Sequence, residues 1–216
     1  MGCLDGMNEH GLTVALLADD ELTARQPSGT PQAGLNETQL PRYLLERCSS
    51  AQEALEMLYT TKQYEEWAVA HYLVADRSGA FVWEREMHNV EHAVWQESGR
   101  LCVTNFLLFR QGSAAVPDDV VDNPGFNDTL RRSRVLHDGF VGRSLNKEEL
   151  WDLLESVRQD QTADSWNENR GRTLWHNQFD LESRRVDYEF YLGDSADGTP
   201  RRSSRFSVSI SSCPQA

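Results

Sequence analysis

The sequence predicts an α+β fold built on antiparallel sheets, and three observations carry that prediction. Apolar strand-like segments come in runs, helical periodicities come in pairs, and turn residues separate neighbouring strand segments as hairpins require. With 216 residues, 39% of them apolar, the chain can bury a sizeable core as one domain.

The first strand follows directly from its turns. Asp5-Gly6 and the stretch from Asn8 to Gly11 are turn signals, and residues 12–17 form an unbroken apolar run, as a strand covered on both faces does. Residues 19–36 hold Pro27, Gly29, Pro31 and Gly34 with few large apolar side chains, so they read as a long loop. Leu40, Tyr43, Leu44 and Arg47 recur at helical spacing over residues 37–48, where Pro41 suits a first turn. Ser50 and Glu53 make a capping-box pattern ahead of Ala54, Leu55 and Leu58, predicting a second helix over residues 51–60.

The period then changes from helical to alternating. Residues 71–76 and 80–84 read as two strands joined by Arg77-Ser78-Gly79, with a third over residues 91–96 and a fourth over 101–106 that turns polar at Thr104 and Asn105. Residues 127–141 place Leu130, Val135, Leu136 and Phe140 among Arg131, Arg132 and Arg134, an amphipathic helix. Residues 146–159 make another, capped by Ser144 or Asn146 and striped by Leu150, Leu153, Leu154 and Val157. A polar linker over 160–172 leads to a hairpin of residues 173–180 and 185–192, in which Val186, Tyr188, Phe190 and Leu192 alternate with polar positions. Residues beyond Gly193 read as tail, with a last strand over 206–210.

Composition narrows the function classes. A net charge of -13 argues against a nucleic-acid partner or an anionic membrane surface. No apolar run approaches the roughly 20 residues of a bilayer span, and the first residues show neither a basic start nor a cleavable apolar segment, so a cytoplasmic location is expected. Cys3, Cys48, Cys102 and Cys213 contain no close pair, which excludes a local zinc knuckle or C-x-x-C motif and reads as reduced thiols. His88 and His92 lie four apart in a strand-and-turn segment and do not share a helix face, so no metal is expected. Neither a Gly-x-Gly-x-x-Gly nor a Walker pattern occurs, and no cofactor is expected.

Five patches in order carry a family resemblance: residues 5–12 (Asp-Gly-Met-Asn-Glu-His-Gly-Leu), residues 71–79 (His-Tyr-Leu-Val-Ala-Asp through Gly), Val103-Thr104-Asn105, Ser133-Arg134, and Thr173-Leu174-Trp175 through Tyr188. Together they resemble the linear-amide C-N hydrolases of the N-terminal-nucleophile superfamily, the group of acyl-CoA:6-aminopenicillanic acid acyltransferases and choloylglycine hydrolases. The resemblance implies an αββα sandwich over residues 1–195, with 196–216 as a terminal strand or tail. It also implies a chain incomplete at its N-terminus, because in the family the first patch lies well downstream of the nucleophile.

The chemistry implied is acyl transfer from a small-molecule amide, or from an acyl-CoA thioester, to water or an amine. A cysteine freed by self-processing attacks, and its own α-amine, titrating near ~7.7 to 8.0, takes the thiol proton. Asn105 matches the asparagine that stabilises the oxyanion; the other reading is an asparagine that ends a strand. Arg134 matches an arginine that orients the nucleophile; the other reading is a solvated helix face shared with Arg131 and Arg132. Cys3 follows Gly2 as in the bond that precursors cleave, but it lies two residues from Asp5, without room for the strand a nucleophile begins, and is the weakest candidate. Ala18 and Asp19 stand where bile-salt hydrolases carry an asparagine, which favours the acyltransferase branch. A homo-oligomer, a complementing N-terminal segment, or an inactive relative that binds an acyl ligand or a partner chain are the further expectations.

Overall fold

The computed structural model describes residues 2–19, 34–64, 66, 69–86, 90–110, 129–159 and 172–211. The first sheet runs in chain order through β1 (Asp5–Met7), β2 (Thr13–Ala18), β3 (Ala70–Asp76), β4 (Gly79–Glu86) and β5 (Val90–Trp95), every pairing antiparallel. Asp76 sets both the β3–β4 turn and the helix beside it. One of its oxygens accepts from the Ser78 and Gly79 N–H groups at 2.7 and 3.1 Å, and the other from Ala51 N–H at 2.7 Å. Burial pushes this carboxyl up, but those bonds outweigh it and hold the pKa below the usual carboxylate range.

One face of this sheet is covered by α1 (Gln39–Arg47) and α2 (Ala51–Thr60). Leu40, Leu44, Ala54 and Leu58 from the helices meet Leu12, Val14, Tyr72, Val74, Phe81 and Trp83 in the main core. Alternation sends Leu73, Val82 and Glu84 to the other face, where Val82 packs with Phe106, Leu108 and Leu130 in a second cluster.

The second sheet comprises β6 (Trp175–Asp180), β7 (Arg185–Asp194), β8 (Pro200–Arg202) and β9 (Phe206–Ser209), also antiparallel throughout. Helix α3 (Thr129–Phe140) and helix α4 (Lys147–Glu155) complete the described helices. They approach closely at Gly139, where a Cβ would lie 2.5 Å from Leu153 Cδ1. Trp151 of α4 stacks on His176 of β6 at 3.9 Å, which puts α4 on the outer face of the second sheet.

The α+β class and the antiparallel sheets agree with the sequence reading, as do α1, α2 and the hairpin strands. Four details differ. Residues 101–104 form no strand: Leu101 and Val103 serve burial in the second cluster instead of a ladder. In α4 the buried residue is Trp151, not the leucine stripe, because the helix lies on a polar sheet face where an indole can stack on His176 and on the Arg205 guanidinium 4.1 Å from its ring. The chain after Gly193 returns to its sheet: β8 falls in the expected tail, and β9 is the last strand expected over 206–210, both on the β7 edge that β6 leaves open.

Finally, the hydropathy of β7 does not give its burial. Phe190 and Leu192 on the apolar face are 39% and 55% exposed, whereas Asp187 on the polar face is 1% exposed. Lys147, Arg185, Arg205 and Ser207 all reach Asp187, which lets its charge be buried. The predicted loop over 19–36, the linker over 160–172, His88 and Cys213 lie largely or wholly outside the described residues.

Candidate active site

The opening patch acts as a joint between layers. Asn8 Oδ1 accepts from the N–H groups of His10 and Leu12 at 3.0 and 3.1 Å, closing the turn that Gly11, at φ 85°, completes. Its Nδ2 donates to the carbonyls of Leu45 and Cys48 at 3.0 and 2.7 Å, occupying acceptors at the C-terminal end of α1. Asp5 Oδ2 accepts from Trp175 Nε1 and Asn177 Nδ2 at 2.6 and 3.0 Å, tying the first sheet to the second. Arg184 Nη1 donates to the Glu9 carbonyl at 2.9 Å and adds a second tie.

Asn105 sits where three elements meet. Its Nδ2 donates to the carbonyl of Ala18, the last residue of β2, at 2.7 Å. Arg132 Nη2 of α3 donates to its Oδ1 at 2.6 Å, and its own backbone N–H donates to Thr129 Oγ1 at 2.7 Å. Thr129, at the start of α3, is 1% exposed and also bonds Thr104 through both hydroxyl and carbonyl. The Asn105 amide is therefore held in one orientation between a strand-borne carbonyl and a helix-borne guanidinium.

The segment after Asn105 is clamped to β4. Glu84, 0% exposed, accepts from the Leu108 N–H at Oε1 and the Phe109 N–H at Oε2, at 2.7 and 2.8 Å. These are backbone groups of the 3-10 turn Leu108–Arg110. His71 on β3 places Nδ1 3.3 Å from Glu84 Oε1, and both residues lie in the interior. Phe109 stacks on His92 of β5 at 3.8 Å, fixing the same turn from its other side.

Of the residues singled out by sequence, Asn105 is placed in this network. Arg134 is half-buried on α3, and the guanidinium that meets Asn105 is that of Arg132. Cys3 precedes β1 and donates its backbone N–H to the Thr38 carbonyl at 2.8 Å, beside α1. Burial, then the Asp5 charge, push its thiol above the ordinary value, which opposes the thiolate a nucleophile needs. Burial alone pushes Cys102 up to about 12, so that thiol is inert at neutral pH. Among the described residues no group of three His, Cys, Asp or Glu side chains could hold a metal ion.

Sequence reasoning missed Arg132, Thr129 and Glu84. A signal for Glu84 existed: it shares strand parity with Val82, so an acidic side chain falls on an inward face and requires donors there.

Two antiparallel sheets tied face to face by Asp5, with helices on their outer sides, have the layered architecture of the N-terminal-nucleophile hydrolases. The chain belongs to the acyl-coenzyme A:6-aminopenicillanic acid acyl-transferase family, whose model matches residues 1–194. Two variants of conjugated bile acid hydrolase from Clostridium perfringens share the fold, with TM-scores of 0.69 and 0.68 at 16% identity. Those matches cover 96% and 97% of this chain and 73% of theirs. Penicillin V acylase from Agrobacterium tumefaciens matches with a TM-score of 0.63 at 21% identity, over 92% of this chain and 64% of its own. No curated protein sequence matches significantly. Among the described residues no helix is long and apolar enough to cross a membrane.

Proposed function

We propose that this chain is the body of a linear-amide hydrolase or acyltransferase in which Asn105 stabilises the oxyanion and Arg134 orients the attacking group. The observation that carries this reading is the fixed amide of Asn105, a preorganised donor of the kind that lowers the barrier to acyl transfer. The relatives that share the fold are named for hydrolysis of conjugated bile acids and for acylase action on penicillin V, and a small-molecule amide or an acyl-CoA thioester fits the same chemistry.

The nucleophile in this reading is a cysteine thiolate borne by a complementing segment rather than Cys3. Thiolate attack on the carbonyl forms the C–S bond and moves the carbonyl electron pair onto oxygen, where an Asn105 N–H meets it. Collapse expels the amine or thiol, which takes up a proton, and water or an acceptor amine then releases the acyl group. The seat for such a segment is the uncovered apolar row of β7 and β9: Phe190, Leu192, Phe206 and Val208 are 39%, 55%, 44% and 45% exposed. Free thiols at Cys3, Cys48 and Cys102 support a reducing, cytoplasmic setting.

The test mixes the chain with a synthetic hairpin peptide that begins with cysteine and follows a family member's sequence, and assays amide hydrolysis. A rate above that of either piece alone supports the reading, and no gain counts against it. In the active mixture Asn105→Ala lowers turnover by about 100-fold or more; a change under about threefold removes Asn105 from the mechanism. One other reading is an inactive relative that binds an acyl ligand or partner chain. Acyl-enzyme trapping separates the two, since only the enzyme gains the acyl mass.

A further inference from the structure

We propose that Arg132 is a positioning residue for Asn105, locking its amide and strengthening its free N–H as a donor; this rests on Asn105 being the oxyanion donor. Sequence likeness points to Arg134, but the guanidinium within hydrogen-bond distance of Asn105 belongs to Arg132, at 2.6 Å from Oδ1.

The argument is one of donors and acceptors. A guanidinium only donates and a backbone carbonyl only accepts, so Arg132 on one side and the Ala18 carbonyl on the other leave one orientation for the Asn105 amide. An amide turned over by 180° would present oxygen to a developing oxyanion and repel it. Arg132 excludes that state, because the turned amide would set its NH2 group against a cation and its oxygen against a carbonyl. The same contact alters the donor itself. A cation on the carbonyl oxygen favours the resonance form with positive nitrogen, and charge-assisted, coupled hydrogen bonds are stronger than isolated neutral ones.

The geometry also leaves a proton to use. Among the described residues one Nδ2 proton goes to Ala18, and the second lies outside these bonds. Arg132 can hold its position because it lies three residues after Thr129 on α3, on the same helix face, and Thr129 receives the Asn105 backbone N–H. Backbone and side chain of Asn105 are thus both registered to one turn of one helix.

The experiment uses the full 15N-labelled chain and reads the side-chain NH2 resonances of Asn105, assigned by their loss in Asn105→Asp. In Arg132→Ala the Nδ2 signal moves upfield and its protons exchange with water at least about tenfold faster, as expected for loss of a charge-assisted bond. The backbone spectrum outside α3 stays unchanged. Millimolar guanidinium restores the signal, and urea at the same concentration does not. If Arg132→Ala does not fold, Arg132→Lys serves instead: it keeps the charge, loses the planar fork, and gives an intermediate shift. Unmoved Asn105 resonances in a folded variant, or equal effects of guanidinium and urea, overturn the proposal. The kinetics of Asn105→Ala test the underlying reading separately. A slow Asn105→Ala with unmoved resonances removes Arg132 alone, whereas moved resonances with a fully active Asn105→Ala remove the oxyanion role and Arg132's part in it.

Discussion

Asp5 and Trp175, 170 positions apart in sequence, are joined by a 2.6 Å hydrogen bond from the indole Nε1 to Oδ2, and the same oxygen accepts from Asn177. One carboxylate therefore fastens the first strand of one sheet to the first strand of the other. Replacing Asp5 by alanine leaves two half-buried donors without their acceptor and is expected to cost about 1–3 kcal/mol. Urea unfolding measures it, and Asp5→Asn, which keeps an acceptor oxygen, loses less. Equal losses for the two variants would show that the contact is not the cause.

Glu84 is expected to matter more than any exposed acid. Its removal leaves the Leu108 and Phe109 N–H groups unpaired in the interior, so Glu84→Ala should destabilise by on the order of 3 kcal/mol. Hydrogen exchange at those two amides identifies the cause. They should lose protection more than the amides of β4, and uniform loss along the chain would contradict the clamp.

His176 supplies a pH dependence. Burial, then the charges of Arg158, Arg205 and Arg202, push its imidazole down to about 4 from an ordinary value of 6.5. A folded-state pKa below the unfolded one means that the unfolded state binds the proton first. Its contribution is therefore fully present above about pH 6.5 and falls as pH drops through the window from 6.5 to 4. The loss should be roughly 1–3 kcal/mol after solvent screening, and His176→Gln should flatten the stability curve in that window. An unchanged slope would sink the assignment.

Asp187 acts in a lower window. Burial pushes its carboxyl up, but bonds from Lys147, Ser207, Arg205 and Arg185 outweigh it and hold the pKa far below the carboxylate range. A depressed folded pKa gives stability that is present above the unfolded value, near ~3.9, and is lost as pH falls below it. Asp187→Asn should lower stability at pH 7 and remove the part of the acid unfolding curve below about pH 4. A parallel downward shift at every pH would show a packing effect instead.

The uncovered row on β7 and β9 predicts a dissociation of stability from assembly. Phe190→Ser with Phe206→Ser removes two side chains that are 39% and 44% exposed and pack on one another at 5.8 Å and on Tyr188 at 5.8 and 5.9 Å. The chain alone should lose on the order of 1–3 kcal/mol, since three ring contacts go, and stay folded, while the gain in hydrolysis on adding the cysteine-first hairpin should disappear. Retained complementation would move the seat elsewhere.

Local rules were legible wherever one short segment decides the outcome. Ser50, whose hydroxyl accepts the Glu53 backbone N–H, capped α2, and Asn146 with Glu149 capped α4, because a cap closes within four residues. The hairpin of β6 and β7 was legible from period and turn. Asn8 was legible only by half: its turn bonds are local, but its reach to Leu45 and Cys48 depends on where α1 packs. Residues 101–104 misled because apolar content reports burial and not hydrogen bonding, and a segment between layers satisfies the first without forming a ladder.

The sequence by itself determined the secondary elements, the antiparallel class and the family, since caps, periods and ordered motifs are local or linear properties of the chain. Tertiary structure alone decided that Arg132 and not Arg134 meets Asn105, that Glu84 clamps the turn beyond it, and that an aspartate is buried while two β7 apolar side chains remain exposed. The physical reason is the same in each case. A buried polar group is defined by its partners, which for Glu84 and Asn105 come from elements 24 to 87 residues away and for Asp187 from a neighbouring strand and helix, and only the packed layers fix their approach.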